Sequence, residues 1–199
     1  MQFDGDTLMS GHIDKNVHIY DLKSGQVVKQ LKGHTSWVKC LKFDSKVLVT
    51  GSYDATIKEW SRTNNEYKLI KEYKGHGSNG VNLERSPRGS VVCLQFDAHR
   101  IVSGSNDTTL RVWNRETGHC EQIITGHDRT VRCLEFKNHT CFSGKTTCCI
   151  YWKIGAIFGA RLTCERTVLH FLIFSPRCVI FVTNFFFLNR WLGSIHKRF

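Results

Sequence analysis

The chain repeats one ten-residue sequence pattern, and no other feature constrains its fold as strongly. GSYDATIKEW occupies residues 51–60, and GSNDTTLRVW occupies residues 104–113, 53 positions later. Related segments end in phenylalanine at four positions, which are spaced 40, 53 and 40 residues apart: Phe3, Phe43, Phe96 and Phe136. A period of about 40 residues indicates an array of similar structural units.

Each unit is predicted to consist of β-strands. In its first segment, such as WVKCLKF at residues 37–43, apolar and polar residues alternate with a period closer to two than to the 3.6 of a helix. A second segment ends in Ser/Thr-Gly, an Asp follows in a turn, and a third segment ends in an aromatic residue before a fourth apolar segment. Four short strands in about 40 residues are typical of one blade of a β-propeller.

Short motifs mark the same points in successive units. The dipeptide GH occurs at residues 33–34, 75–76 and 126–127, and three units end their third segment in tryptophan. With these motifs, residues 3–152 resemble the WD-repeat family, and VVCLQFDAHRIVSGSNDTTLRVWN at residues 91–114 is most similar to the propellers of F-box/WD proteins. The resemblance implies an all-β, incomplete WD-repeat propeller of about three and a half four-stranded antiparallel blades. The blades would occupy residues 1–32, 33–74, 75–125 and 126–152.

The first and last units are predicted to be incomplete. The first unit begins inside its first strand, has no GH dipeptide before that strand and has Tyr20 in place of Trp, although Ser10 and Asp14 keep their places. The register of the last unit stops at Trp152, and its SGKTTCCIYW segment lacks the Asp. We therefore expect three, four, four and three strands in the four units, and an open arc with exposed sheet edges.

The resemblance also implies a buried, hydrogen-bonded set of four side chains in each complete blade, which we call the tetrad. It consists of a His before the first strand, a Ser or Thr on the second strand, an Asp in the next turn and a Trp on the third strand. The corresponding residues are His34, Thr50, Asp54 and Trp60; His76, Ser103, Asp107 and Trp113; and, without an Asp, His127, Ser143 and Trp152. Because buried polar groups must be satisfied, a complete set makes a small sheet rigid.

Catalysis and metal binding are not expected. Ser, His and Asp also form hydrolytic triads, but here the hydroxyl residue recurs in each unit, precedes a Gly on a plain strand, and lies in no G-x-S-x-G motif. The nine cysteines contain no C-x-x-C spacing, and Cys40, Cys93 and Cys133 share one repeat position, which indicates small buried apolar residues. We predict no catalytic residue, metal or cofactor, and therefore no enzyme.

The charge distribution favours proteins over nucleic acid as partners. The net charge is +11, but residues 1–152 hold 21 basic and 16 acidic side chains, while the last 47 residues hold seven basic and one acidic. More than half of the excess thus lies outside the repeats, so we predict no nucleic-acid binding. Because nothing near Met1 resembles a secretory signal, a cytoplasmic or nuclear location is expected.

Partner binding is predicted at the loops that lead into the first strands and at the Asp turns. The candidates are Lys39, Tyr53, Arg88, Asn106 and Arg132. Similarity to F-box/WD proteins implies a substrate receptor of a cullin-type ubiquitin ligase whose upper face binds a phosphorylated peptide; Arg132 matches an arginine of that face, and Val92 does not. The alternatives are a general WD-repeat scaffold in signalling, trafficking or RNA processing, and a non-functional truncated product.

The C-terminal segment, residues 153–199, departs from the repeats in composition. It contains eight of the thirteen phenylalanines, and residues 168–188 are long and apolar enough to suggest a membrane helix. Ser175, Pro176 and Arg177 interrupt that stretch and make membrane insertion costly. Three alternatives follow: a membrane helix, a buried or disordered local segment, and a non-native terminus in which the reading frame leaves the repeats.

Overall fold

The structure is a computed structural model, and it describes residues 1–63, 66–77, 89–137, 140–144, 148–154 and 164–170. In these ranges the chain forms sixteen β-strands and no helix. The strands build four antiparallel sheets, and in each sheet the strands follow one another in chain order. The all-β fold of four-stranded propeller-like sheets predicted from the repeats is confirmed. We number the sheets 1 to 4 from the N-terminus.

The sheets have similar strand lengths, except at the two ends of the array. Sheet 1 contains β1 (Gln2–Asp4), β2 (Thr7–Gly11), β3 (Val17–Asp21) and β4 (Val27–Leu31). Sheet 2 contains β5 (Val38–Phe43), β6 (Val47–Ser52), β7 (Thr56–Thr63) and β8 (Glu66–Lys74). Sheet 3 contains β9 (Val91–Phe96), β10 (Arg100–Ser105), β11 (Leu110–Asn114) and β12 (Cys120–Ile124). Sheet 4 contains β13 (Cys133–Lys137), β14 (Thr140–Gly144), β15 (Cys148–Ile154) and β16 (Cys164–His170).

The expected count of three, four, four and three strands is wrong for the first and last sheets, which each have four. In sheet 1, the three residues of β1 pair with β2, with Phe3 opposite Leu8. In sheet 4, β15 continues past Trp152 and pairs along its length with β16. Nine residues separate β15 from β16, whereas two to five separate the corresponding strands of the other sheets. This longer connection hides β16 from a search for the repeat spacing.

The apolar core lies between consecutive sheets. One cluster joins sheets 1 and 2, a second joins sheets 2 and 3, and a third joins sheets 3 and 4. Each cluster combines aliphatic residues of the earlier sheet with the Phe and Trp of the later sheet; Met9 and Ile19, for example, pack with Phe43 and Trp60. A four-stranded sheet has too few side chains for a core of its own, so each sheet is stabilised by its neighbours.

The glycine that follows the tetrad Ser or Thr allows the sheets to approach. A Cβ atom on Gly51 would lie 2.7 Å from Cγ1 of Val91, the first residue of the next sheet, and one on Gly104 would lie 2.7 Å from Cγ1 of Val131. These separations are too short for carbon atoms in contact. The Ser/Thr-Gly pair in the sequence therefore combines a polar tetrad member with a site of close packing.

The described part of the chain contains no helix with the length and apolar character needed to cross a membrane. The apolar stretch at residues 168–188 falls mainly outside the described residues, and its first three residues, 168–170, belong to β16.

Candidate functional site

The tetrad of sheet 2 is assembled as the sequence predicts. Nδ1 of His34 lies 2.8 Å from Oδ2 of Asp54, and its Nε2 lies 2.8 Å from Oγ1 of Thr50. Nε1 of Trp60 donates to the same Thr50 oxygen at 3.0 Å. Four residues from two strands, the loop before β5 and the turn between β6 and β7 are thereby joined, although they are up to 26 positions apart in the sequence.

Sheet 3 repeats this geometry with Ser in place of Thr. Nδ1 of His76 lies 2.9 Å from Oδ2 of Asp107, and its Nε2 lies 2.7 Å from Oγ of Ser103. Nε1 of Trp113 donates to Ser103 Oγ at 2.8 Å. All four side chains are buried, and Ser103 has no exposed surface.

A neutral histidine satisfies every group of the tetrad in sheet 3. Burial lowers the pKa of His76 and outweighs the opposing effect of Asp107. Nδ1–H then donates to Asp107, the Ser103 hydroxyl donates to Nε2, and the Trp113 N–H donates to the Ser103 oxygen. Burial also opposes ionisation of Asp107, but the hydrogen bonds from His76 and Thr109 prevail and hold the pKa of this carboxyl well below its usual range.

The same balance operates in sheet 2. Burial disfavours the charged form of Asp54, but hydrogen bonds from His34 and Thr56 hold its pKa well below the ordinary value. The backbone N–H of Thr35 adds a further hydrogen bond to Asp54 Oδ2, at 2.9 Å. Asp54 therefore stays ionised, and it fixes both the ring of His34 and the turn in which Asp54 itself lies.

Sheet 4 has the shorter set predicted from the sequence. Nε2 of His127 lies 2.8 Å from Oγ of Ser143, and Nε1 of Trp152 donates to that oxygen at 2.6 Å. The three side chains are buried like their equivalents in sheets 2 and 3.

Sheet 1 contains a substitute that sequence reasoning missed. It has no GH dipeptide before its first strand, but His12, from the turn after β2, places Nε2 2.7 Å from Oγ of Ser10 and 3.2 Å from the hydroxyl of Tyr20. His12 also stacks on His18, with ring centroids 4.1 Å apart, and His18 contacts Asp14 at 2.7 Å. The one sequence signal for this arrangement is that a His stands two residues after Ser10. Other units have Ser52 and Ser105 at this position.

The tetrads have the geometry of structural hydrogen-bond networks. Thr50, Ser103 and Ser143 have no exposed surface, so no substrate could reach their hydroxyl groups. Within the described residues, His, Cys, Asp and Glu side chains form no group of three that could hold a metal ion.

The cysteine position that the units share faces a neighbouring sheet in sheets 2 and 3, but not, within the described residues, in sheet 4. Cys40 and Cys93 face the next sheet, and burial raises the pKa of both thiols, that of Cys93 to about 12. Cys133, at the same position in the last sheet, is exposed. The prediction of a buried residue is therefore wrong for Cys133, because the described structure has no sheet beyond the fourth to cover it.

The partner-binding candidates lie along one edge of the array, which we call the upper edge. It is the end of the sheets where the first strands begin and the Asp turns lie, because antiparallel pairing brings these two points together. In sheet 2 the N–H of Tyr53 donates to the carbonyl of Trp37 at 2.9 Å, and in sheet 3 that of Asn106 donates to Ser90 at 3.0 Å.

The candidates differ in how much of their surface is available. Lys39 and Arg132 are exposed, and Tyr53 is half-buried. Asn106 is only 9% exposed, so its side chain offers little surface to a partner. Arg88 lies outside the described residues. Whether these side chains bind a partner stays a prediction.

Two further features of the upper edge were not singled out from the sequence. Trp37 is 48% exposed and meets the ring of Tyr53 edge to face, with centroids 5.5 Å apart. In the sequence, Trp37 stands out because an aromatic residue precedes the first Val of the strand, where the other units have Ser90 and Thr130. The exposed cations of this edge include Lys15, Lys39, Arg129 and Arg132, and its exposed acids include Asp14 and Asp128.

Comparison with known proteins identifies the repeated unit. Residues 25–61 and 67–114 match the family model described as WD domain, G-beta repeat. These two stretches are WD repeats. They include the tetrad residues Thr50, Asp54, Trp60, Ser103, Asp107 and Trp113, so the family match and the buried hydrogen-bond geometry agree.

Two relatives with WD repeats carry different names, and this chain spans less than a quarter of the length of each. The first is Mitochondrial division protein 1 of Pyricularia oryzae, with 30% identity over 151 residues; the aligned stretch covers 62% of this chain and 23% of the relative. The second is Cell division control protein 4 of Saccharomyces cerevisiae, with 36% identity over 112 residues; the aligned stretch covers 54% of this chain and 13% of the relative.

Among solved structures, the fold is similar to two computationally designed proteins. The match to Ika4 has a TM-score of 0.63 at 28% identity and covers 77% of this chain and 88% of that one. The match to Ika8 has a TM-score of 0.62 at 29% identity and covers 76% of this chain but 44% of that one. The array of sheets thus matches nearly all of one chain and under half of the other.

Proposed function

We propose that this protein is an interaction scaffold that binds a partner protein through its upper edge. The observation that carries the proposal is the contrast between the two polar regions of the molecule. The tetrads hold their Ser, His and Asp side chains inside the sheets, whereas Lys39, Arg132 and Trp37 present charge and aromatic surface to solvent. A rigid framework that displays such residues on its loops is suited to binding.

The partner that fits this edge best is a peptide with acidic or phosphorylated side chains. The exposed cations outnumber the exposed acids there, and the guanidinium group of Arg132 can donate two parallel hydrogen bonds to a phosphate. Trp37 and Tyr53 add an aromatic surface on which an extended peptide can pack.

A role as the substrate receptor of a cullin-type ubiquitin ligase, in the cytoplasm or nucleus, is the more specific form of this proposal. It is supported by the similarity of residues 91–114 to F-box/WD propellers and by the 36% identity to Cell division control protein 4. The alternative is a scaffold of another assembly without a role in ubiquitination. The identity to Mitochondrial division protein 1 over a longer stretch favours that alternative.

Affinity capture from cell extract, before and after phosphatase treatment, tests the proposal. We expect Lys39→Glu and Arg132→Glu to reduce capture of phosphorylated partners at least about tenfold, because each reverses a charge that contacts phosphate. The matched controls are Lys46→Glu, in the turn between β5 and β6, and Lys137→Glu, at the opposite end of the strand that follows Arg132. Both control lysines are exposed on the edge away from the upper one, so these changes should leave capture unchanged.

The outcomes separate the two forms of the proposal. Loss of partners after phosphatase treatment, together with capture of a ubiquitin-ligase adaptor, supports the receptor. Partners that persist after phosphatase treatment but are lost in the Lys39 and Arg132 variants support a general scaffold. Equal capture by all four variants would refute binding at the upper edge.

A further inference from the structure

Among the described residues, none covers one side of sheet 1, although most of the same side is buried in the other sheets. Phe3 is 71% exposed, while its equivalents Phe43 and Phe136 are 5% and 7% exposed. Leu8 and Tyr20 lie opposite each other beside Phe3 and are half-buried. Their equivalents in sheet 2, Leu48 and Trp60, are 0% and 5% exposed because sheet 1 covers them. We call Phe3, Leu8 and Tyr20 the leading face.

Sheet 4 is left uncovered by the described residues on its opposite side. Cys133 is exposed there, and Phe142 and Tyr151 are half-buried, with ring centroids 5.0 Å apart. We call these three residues the trailing face. The equivalents in sheet 3 are Cys93, Val102 and Val112, and sheet 4 buries both valines completely.

The two faces are the two halves of an interface that the molecule already forms three times. At each internal interface, a trailing side of aliphatic residues meets a leading side with the Phe, the Trp and further apolar residues, and in sheets 2 and 3 the trailing side also includes the shared Cys. The thiol of Cys40 points to the carbonyl of Val91 in the next sheet at 3.8 Å, and that of Cys93 to Val131 at 3.5 Å. A leading face placed against the trailing face would repeat this arrangement.

We propose that two copies of this chain close into a ring of eight sheets, with the leading face of each copy packed on the trailing face of the other. Two arcs of four sheets give eight, which lies within the range of about four to eight blades found in closed propellers. The arrangement has two-fold symmetry and uses the same contact twice, so no further copy can add to it. The match to nearly all of Ika4 and to 44% of Ika8, which is about twice as long, supports four sheets as half of a longer array.

The polar groups of sheet 1 do not oppose this contact. The hydroxyl groups of Ser10 and Tyr20 both contact Nε2 of His12, so each keeps a polar partner when a second copy covers it. The leading face is nevertheless smaller than its internal counterparts, because β1 has three residues where β5 and β9 have six. We therefore expect a dimer that dissociates on dilution, unlike the contacts within one chain.

The mass in solution tests the proposal. Light scattering coupled to size-exclusion chromatography, with the 199-residue chain from about 1 to about 100 µM, should show a shift from one copy to two. Phe3→Glu should raise the dissociation constant at least about a hundredfold, because it places a charge in both contacts of the ring. The matched control is Ile13→Glu, since Ile13 is 67% exposed in the turn between β2 and β3 and belongs to neither face.

A second measurement does not depend on a variant. Cys133 is exposed in one copy and covered in the ring, so its alkylation rate, followed by peptide mass spectrometry, should fall as the protein concentration rises. The midpoint of this fall should equal that of the mass transition. A single copy at every concentration, a dimer equally strong in Phe3→Glu, polymers of more than two copies, or a Cys133 rate independent of concentration would each overturn the proposal.

Discussion

The tetrads of sheets 1 and 3 contain similar side chains but lie in very different surroundings. In sheet 3, Trp113 is 1% exposed and packs in the cluster shared with sheet 2. In sheet 1, Tyr20 at the same position is half-buried, because the described residues contain no sheet on that side. The His comes from the preceding loop in sheet 3 and from the turn after the second strand in sheet 1. The hydrogen bonds can thus be rebuilt locally, whereas burial depends on the neighbouring sheet.

The largest effect is expected when the ring of Trp113 is removed. Trp113→Ala should lower the free energy of unfolding by about 3–5 kcal/mol, because it leaves a cavity between two sheets and takes the N–H donor from Ser103. Tyr20→Ala, on the uncovered side of sheet 1, should lower it by less than about 1.5 kcal/mol. Urea unfolding of both variants measures the difference. Equal losses would mean that the neighbouring sheet contributes little to the tetrad.

The Asp of the tetrad offers the next comparison. Asp107 accepts hydrogen bonds from His76, from the backbone of Gly77 and from Thr109, so Asp107→Ala leaves several buried donors without an acceptor. We expect a loss of about 3 kcal/mol in the free energy of unfolding. Asp14→Ala, at the exposed equivalent in sheet 1, should change it little. Hydrogen exchange of the turn at residues 105–109 would show whether the loss is local.

These contrasts also explain how far the sequence could predict the structure. The tetrads of sheets 2 and 3 were predicted because both units carry the GH, Ser/Thr-Gly, Asp and Trp motifs in which the chain resembles the WD-repeat family. The role of His12 was missed because it occupies a position where the repeat has Ser, and β16 was missed because its connection is longer than in other units. The exposure of Cys133 depends on whether another sheet follows. No local pattern carries that information, since the residue is the same in all three units.

Close packing between sheets predicts a smaller effect. Gly104→Ala places a Cβ 2.7 Å from Val131, so either the strand or the valine must move, and we expect a loss of about 1–3 kcal/mol. Gly144 is the equivalent residue in sheet 4, and no described sheet packs beyond it. Gly144→Ala should therefore cost less than Gly104→Ala when both are measured in dilute solution by thermal unfolding. The reverse order would contradict close approach of sheet 4 to sheet 3 at Gly104.

The smallest expected effect is a pH dependence of the free energy of unfolding that arises from the buried His76. Burial lowers the pKa of His76 in the folded state, so the unfolded chain takes up a proton first as the pH falls. The stability that His76 contributes is fully present above about pH 6.5 and is lost as the pH falls below that value. Asp107 has a lowered pKa too, but its contribution is lost only below about pH 4, so the two effects separate.

The variant His76→Asn isolates this contribution, because Asn does not titrate. It should be less stable than the wild type at pH 8, since the bond from Nδ1 to Asp107 is weakened or lost. Between pH 8 and pH 5 its stability should then fall less steeply than that of the wild type, because the histidine that resists protonation is gone. His12→Asn serves as the control, since His12 lies in the partly exposed set of sheet 1. If both variants follow the wild-type slope, the charge state of the tetrad does not couple to folding, and its hydrogen bonds stabilise the sheet equally with either form of the histidine.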